Sequence, residues 1–293
     1  MFEMKILIYG LPKSGTTKLT YVISKALDPP ADIIFEPKSR EREREISPNV
    51  LAKCLFGLDP GLYITPEKVN DFSDYDKKIW LARDPRDIAI SSFLYQWYRA
   101  HNPDEDTFKV ALNKLKYKER NCKAVPFYEL DIYKEDGSIR TIDELREYHL
   151  NIINAVAKFV GNLGSDWFIY KYEDMIKNNF RNLNNYLGFP VKADAKVPKI
   201  YARVSRSKNY GNWRYWFTNE DLDFYKELYS EYMGIVGYDN NDWLIYDNKT
   251  LPEETGSGYL ENLFFGDTVG KDNSNIRTFL NDLSHIISRL FRF

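Results

Sequence analysis

The stretch Lys5-Ile6-Leu7-Ile8-Tyr9-Gly10-Leu11-Pro12-Lys13-Ser14-Gly15-Thr16-Thr17 decides the fold of this chain. Lys5 to Tyr9 is a short, mainly apolar run, the pattern of a strand covered on both sides as in a parallel sheet. From Thr17 onward Leu19, Val22, Ile23, Ala26 and Leu27 recur at helical spacing on one face until Pro29-Pro30 stops the helix. Strand, glycine-bearing turn and helix thus fill the first thirty or so residues. Such a turn presents successive backbone N–H groups and a helix N-terminus, which together seat phosphate or sulfate oxygens.

The alternation continues along the chain. Asp32 to Phe35 reads as a second strand with Glu36 and Pro37 at its carboxyl end. Ile79 to Ala82 reads as a third, ending in Arg83-Asp84-Pro85, where Asp84 suits an N-cap and Pro85 the first helical position. The helix behind it carries Ile90, Phe93, Leu94, Trp97 and Tyr98 on one face. Trp167 to Tyr172 is the fourth, preceded by a helix that opens with the capping box Thr141-x-x-Glu144. This order predicts an α/β fold, a P-loop-like central parallel β-sheet with helices on both faces, whose ligands sit beyond the carboxyl ends of the strands. One domain is expected over residues 1–248, with an irregular segment leaving the core after Asn248 and a terminal amphipathic helix within 249–293. In that helix Ile276, Phe279, Leu280, Leu283, Ile286, Ile287, Leu290 and Phe291 share a spacing, with Arg277, Arg289 and Arg292 elsewhere on the wheel. Two readings stand for it: packing on its own domain or a second copy, and resting peripherally on a membrane.

Composition narrows the function classes. Hydrophobic residues make up 43% of the 293 and aromatic ones 16%, which excludes a disordered chain. Lys and Arg number 41 against 43 Asp and Glu, a net charge of -2, so no nucleic-acid coat is expected and any anion site must be local. Two cysteines, Cys54 and Cys122, are too few for a disulfide framework or a zinc site and fit a reducing compartment. No apolar run reaches membrane-spanning length and no signal-peptide pattern opens the chain, so a cytoplasmic location is the expectation.

In the nucleotide-triphosphate P-loop pattern Gly10 and Gly15 have the right separation, but Thr16 stands where that pattern needs lysine, and lysine sits at position 13. Pro12-Lys13-Ser14-Gly15-Thr16-Thr17 after a first strand resembles instead the 5′-phosphosulfate loop of sulfotransferases that use 3′-phosphoadenosine 5′-phosphosulfate (PAPS). Arg83-Asp84-Pro85-Arg86-Asp87 followed by Ser91 resembles the family's 3′-phosphate segment, and Tyr172-Glu173-Asp174 its Tyr-Glu-Asp, whose tyrosine contacts adenine. Asn185-Tyr186-Leu187-Gly188 is similar to the helix end that follows. Arg206-Ser207-Lys208-Asn209-Tyr210-Gly211-Asn212-Trp213 resembles the late segment that folds over the 3′-phosphate, with Ser207 where lysine is common and Lys208 one place along. The resemblance runs from Gly10 to about Phe217. Lys18 stands where many members have a tryptophan against the adenine.

The resemblance implies a transferase that moves a sulfuryl group from PAPS to an acceptor hydroxyl and releases adenosine 3′,5′-bisphosphate (PAP), with no metal. It implies that Lys13, Ser14, Gly15, Thr16 and Thr17 bind the 5′ side with Lys18 nearby. Arg83, Ser91, Arg206, Ser207 and Lys208 fall to the 3′-phosphate and Tyr172 to the adenine. Many members take a base histidine from the strand region between the two phosphate segments, but Leu62-Tyr63-Ile64-Thr65-Pro66 holds none. Glu36 is similar to the strand-end glutamate of carbohydrate-directed sulfotransferases and is the candidate base, so a small-molecule or glycan acceptor is expected, a sugar ahead of a phenol. Two readings of Glu36 stand, as base and as ion-pair partner of Lys38 or Arg40. The charged run Lys38 to Glu45 reads as a solvated helix or lid whose arginines can meet an anionic acceptor. His149 lies on an apolar helical stripe and reads as a satisfied core histidine, and His101 follows an aromatic helix at the acceptor side. The rivals are a P-loop nucleotide kinase or NTPase and a catalytically inactive nucleotide-binding module.

Overall fold

A computed structural model describes residues 3–40, 42–192, 197–198, 209–246 and 250–266. β1 (Met4–Gly10) leads through the glycine turn into α1 (Thr16–Ser24), then β2 (Asp32–Phe35), β3 (Asn49–Leu55) and β4 (Lys77–Ala82). Next come α2 (Pro85–Gln96), α3 (Glu105–Arg120), α4 (Tyr128–Asp131), α5 (Ile142–Gly161) and β5 (Trp167–Lys171). α6 (Tyr172–Ile176), α7 (Arg181–Leu187), α8 (Trp213–Trp216), α9 (Asn219–Ile235) and α10 (Ser257–Phe265) complete the order.

The sheet is parallel throughout, in the order β2-β3-β1-β4-β5, with β1 at its centre. Its two faces carry separate apolar clusters. Ile6, Ile8, Leu51, Ile79 and Leu81 meet Leu19, Val22 and Ile23 of α1 on one face. Tyr9, Ala52, Cys54 and Trp80 meet the larger helical layer of α2, α3, α5 and α9 on the other. There Tyr9–Trp80, Tyr9–Phe159, Phe56–Trp80 and Phe159–Trp167 lie edge to face at 5.4 to 5.7 Å. Each such pair stabilises by about 0.5–1.5 kcal/mol beyond area burial. The chain leaves β1 for a helix on one face and neighbouring β4 for a helix on the other, the reversal of direction at which parallel α/β sheets bind ligands beyond the strands' carboxyl ends.

The α/β architecture agrees with the sequence reading, and four details correct it. The sheet has five strands, the additional one being β3, where Lys53 interrupts an otherwise apolar run from Val50 to Phe56. Tyr172 does not end the last strand but opens α6. The run Lys38 to Glu45 is no solvated lid at Arg40, whose 5% exposed side chain donates to Glu45 at 2.9 Å and pairs with Asp74. The chain does not leave the core at Asn248, since α10 packs on α3, with Phe264 stacked on Phe108 at 3.8 Å and Leu260 and Leu263 buried. The helix expected over 276–291 lies outside the described residues, and no described helix is long and apolar enough to cross a membrane.

Capping follows the sequence. Asp84 accepts from the Arg86 N–H at 2.9 Å with Pro85 first in α2, and Thr141 and Glu144 form a reciprocal box on α5. α7 closes at Gly188, in the left-handed region at φ 84°.

Candidate active site

The turn after β1 is built for close approach. The Ser14 N–H closes it onto the Leu11 carbonyl at 3.1 Å, and Lys13 and Gly15 take left-handed φ values of 68° and 94°. Gly15 is needed twice over, because a Cβ there would lie 2.6 Å from Cδ2 of Tyr172 as well as at positive φ. No side chain caps α1 and no acid sits in its first turn, so its leading N–H groups stay available to an anion. Ser14 is 1% exposed and its Oγ has no hydrogen-bond partner among the described residues; Thr16 and Thr17 are buried beside it.

The turn after β4 faces this loop. Arg83 donates from Nη1 to the Lys13 carbonyl at 2.7 Å, lies with Cζ 4.4 Å over the Tyr172 ring, and leaves its buried Nε without a partner among the described residues. Tyr172 thus walls the loop at Gly15 and backs the Arg83 guanidinium with the same ring. Glu173, next in sequence, accepts from the Asp84 N–H at 3.2 Å and from the Tyr238 hydroxyl at 2.5 Å, and burial raises its carboxyl pKa. The turns after β1, β4 and β5 are therefore linked side by side. Ser91 is buried on α2, two turns beyond Arg83, and Lys18 is half-buried on α1.

Arg86 and Asp87 do different work. Arg86 pairs with Asp84 at 2.7 Å and sits between Trp213 and Trp243, 3.8 and 4.6 Å from the ring centres, so it anchors the helix start. Asp87 accepts from the backbone N–H groups of Gly211 and Trp213 at 2.6 and 3.1 Å. Burial pushes its carboxyl up to about 6, against the pull of Arg83. This clamp holds the end of the late segment; Arg206, Ser207 and Lys208 lie outside the described residues.

The Lys13 ammonium lies 3.4 Å over the face of Tyr95, on the last turn of α2. Tyr95 is flanked by Tyr98, stacked at 6.1 Å, and by the edge of His101 at 4.8 Å. His101 Nδ1 lies 3.4 Å from the Gln96 carbonyl. His149 is occupied elsewhere, bridging Asp131 at 2.8 Å and Tyr229 at 3.2 Å between α4, α5 and α9.

Glu36 does not pair with Lys38 or Arg40. It sits past the end of the edge strand β2, two strands from β1, at φ 48°, and its N–H donates to the Lys53 carbonyl at 2.8 Å. Its half-exposed carboxylate makes an ion pair with the Lys53 ammonium, whose side chain is 2% exposed and lies 4.4 Å over Phe35. Burial lowers the Lys53 pKa, and Glu36 pulls it back up. Lys53 is the partner of Glu36 that sequence reasoning missed. The available signal was a lone lysine inside an apolar run. The carboxyl end of β3 carries Lys53, Cys54 and Leu55 and, like Leu62 to Pro66, no histidine.

No protein-family model matches the chain, and no curated protein matches it. Among solved structures, it is similar to the mouse sulfotransferase SULT7A1 complexed with PAP, at 17% identity and a TM-score of 0.46, over 79% of this chain and 85% of that one. It is also similar to retinol dehydratase in complex with androsterone and the inactive cofactor PAP, at 13% identity and a TM-score of 0.42, over 83% of this chain and 82% of that one.

Proposed function

We propose that the chain is a sulfotransferase that moves a sulfuryl group from PAPS to an acceptor hydroxyl, that of a carbohydrate. The observation that carries the reading is a pair of buried polar atoms without partners among the described residues, Ser14 Oγ and Arg83 Nε, on two turns joined by the Arg83 to Lys13 hydrogen bond. A buried polar group left unsatisfied costs about 1–3 kcal/mol, so such a pair beyond the carboxyl ends of two neighbouring strands fits a ligand bearing two anionic groups.

The residues fall into roles by chemistry. The Ser14 to Thr17 amides and hydroxyls suit the 5′ side, and the Arg83 fork, with Ser91 and the 206–208 segment, suits the 3′-phosphate. The Lys13 ammonium suits the charge that develops on the bridging oxygen of the leaving group. Glu36 is the base that takes the acceptor proton, with Lys53 fixing its carboxylate at the strand end. Transfer of this kind needs alignment and charge stabilisation more than covalent help.

The test is a thermal-shift panel with PAP, ATP and GTP, each with and without magnesium, followed by transfer of labelled sulfonate from PAPS to a glycan panel. A ligand at a hundred times its Kd adds about 2.7 kcal/mol, and PAP alone is expected to do so. Glu36→Gln is expected to keep that shift and lose about 100-fold or more in turnover. Stabilisation by ATP or GTP with magnesium, and none by PAP, rejects the reading in favour of a kinase or NTPase; PAP binding with no transfer to any acceptor assigns an inactive binding module.

A further inference from the structure

We propose that Tyr210 is a donor-binding residue whose ring face takes the purine base of PAPS and PAP. The inference rests on the donor-site reading above and deepens it, adding to the anion-binding turns a flat surface for the nucleoside. The observation that carries it is an aromatic residue left 41% exposed and yet tied at two points to the elements around Arg83.

The first tie runs to the start of α2. The N–H of Gly211, next in sequence to Tyr210, donates to Asp87 at 2.6 Å, and Asp87 lies four residues on from Arg83, near enough for the guanidinium to pull on its carboxyl. The second runs to α6. Lys177 closes that helix and its Nζ lies 5.1 Å from the Tyr210 ring centre, within the range at which a cation is drawn to an aromatic face. α6 opens with Tyr172, the ring that backs Arg83 and walls Gly15. Tyr210 is thus anchored, by backbone on one side and by ring on the other, to both elements that flank the Arg83 guanidinium. In PAP the base and the 3′-phosphate hang from one ribose ring, so an arginine that grips the phosphate brings the base with it. Among the described residues no other aromatic ring stacks on Tyr210, and its surface beyond the Lys177 contact is left to a flat partner. A base stacked there removes apolar surface of both rings from water, and with both ties in place before binding little is left to be ordered.

Affinities for PAP and for its base-free analogue, methyl ribofuranoside 3,5-bisphosphate, are measured by calorimetry on the full chain and on Tyr210→Leu and Tyr210→Phe. Tyr210→Leu is expected to bind PAP about 5- to 150-fold more weakly than wild type, the equivalent of one base-stacking contact. Tyr210→Phe, which keeps the ring face, is expected to match wild type. The analogue is expected to bind wild type and Tyr210→Leu alike, and the two free proteins are expected to melt together, since the side chain lies largely outside the core. A second readout is the nuclear Overhauser contact between adenine ring protons and the Tyr210 ring protons, assigned by their loss in Tyr210→Phe. That contact is expected in PAP-bound wild type. Unchanged PAP affinity in Tyr210→Leu overturns the proposal, as does an equal loss for PAP and the analogue, which would put the effect in the Asp87 clamp, or a missing contact. Absence of any PAP binding to wild type rejects the donor site itself, and the stacking with it.

Discussion

Arg83 Nη1 donates to the Lys13 carbonyl at 2.7 Å, joining the turn after β4 to the turn after β1. The residue expected to hold one end of the donor thereby also sets the backbone of the loop expected to hold the other. Arg83→Ala is expected to abolish PAP stabilisation, with a loss of about 2–3 kcal/mol of binding, or roughly 30- to 150-fold in Kd. Arg83→Lys is expected not to rescue it, because an ammonium cannot give one donor to the carbonyl and a planar pair to a phosphate. Calorimetric titration with PAP checks both; wild-type affinity in Arg83→Lys would remove the guanidinium from the site.

Gly15 carries the steric demand of the loop. Gly15→Ala places a methyl 2.6 Å from Tyr172 at a φ of 94°, and is expected to destabilise the fold by about 2 kcal/mol or more and to eliminate PAP binding. Gly15→Ala combined with Tyr172→Leu is expected to recover the steric part only. Urea midpoints of the single and double variants separate the clash from the backbone strain, and equal midpoints would mean the ring is not what excludes the side chain.

Asp87 makes stability depend on pH with a defined sign. Burial raises its folded pKa to about 6 from the ordinary aspartate value of 3.8. The folded protein therefore holds a proton that the unfolded chain has released between those values, and the contribution of Asp87 is full below about pH 4 and is lost as pH rises through about 6. Asp87→Asn is expected to be less stable than wild type at low pH, since an amide oxygen replaces two acceptors for Gly211 and Trp213, and to close the gap as pH rises. Paired urea titrations at pH 4, 5, 6 and 7 read the difference; a constant gap would mean Asp87 stays ionised throughout.

The Arg40 cluster has the opposite sign. Burial alone would raise the Glu45 carboxyl, but hydrogen bonds from Arg40, Lys5 and Tyr75 bring it below its ordinary value, and Arg40 does the same for Asp74. Stability from these carboxylates is present above their unfolded values and fades as pH falls through the folded ones. Arg40→Ala leaves the 4% exposed Glu45 with a reduced set of partners and is expected to cost about 3 kcal/mol at neutral pH, less at pH 3.5, with PAP affinity unchanged. A loss of PAP binding in a variant that remains folded would return the charged run to the site.

The parts of the fold legible in the sequence are those whose local chemistry is self-sufficient. β1 with its turn, the Asp84-Pro85 helix start, the Thr141 box and the Gly188 stop each follow from a few adjacent residues. β3 was not legible because a lysine in a buried strand makes sense only with its counterion, and Glu36 comes from the neighbouring strand end. The same reason hid the real partners of Arg40, which lie five and thirty-four residues away. In the candidate site the loop, Arg83 and Tyr172 were readable as residue types, whereas the ring behind Lys13 and the clamp from Asp87 to Gly211 arise only when α2 packs. Past Asn248 a polar composition concealed the short apolar face of α10.

The starts of α2 and α6 are stitched to the segment after α9: Asp242 supplies a carbonyl to Arg86, and Tyr238 a hydroxyl to Glu173. For a polypeptide emerging from the ribosome, this sets a timetable. The glycine turn is synthesised well before Tyr238 and Asp242, so its neighbours lack their anchors until about residue 242 has left the exit tunnel, roughly ten to fifty seconds later at ordinary elongation rates. During that interval a half-made sheet carries Glu173 and Arg86 without their last partners. Nascent chains stalled before and after that point should accordingly differ in protease resistance at the amino-terminal turn.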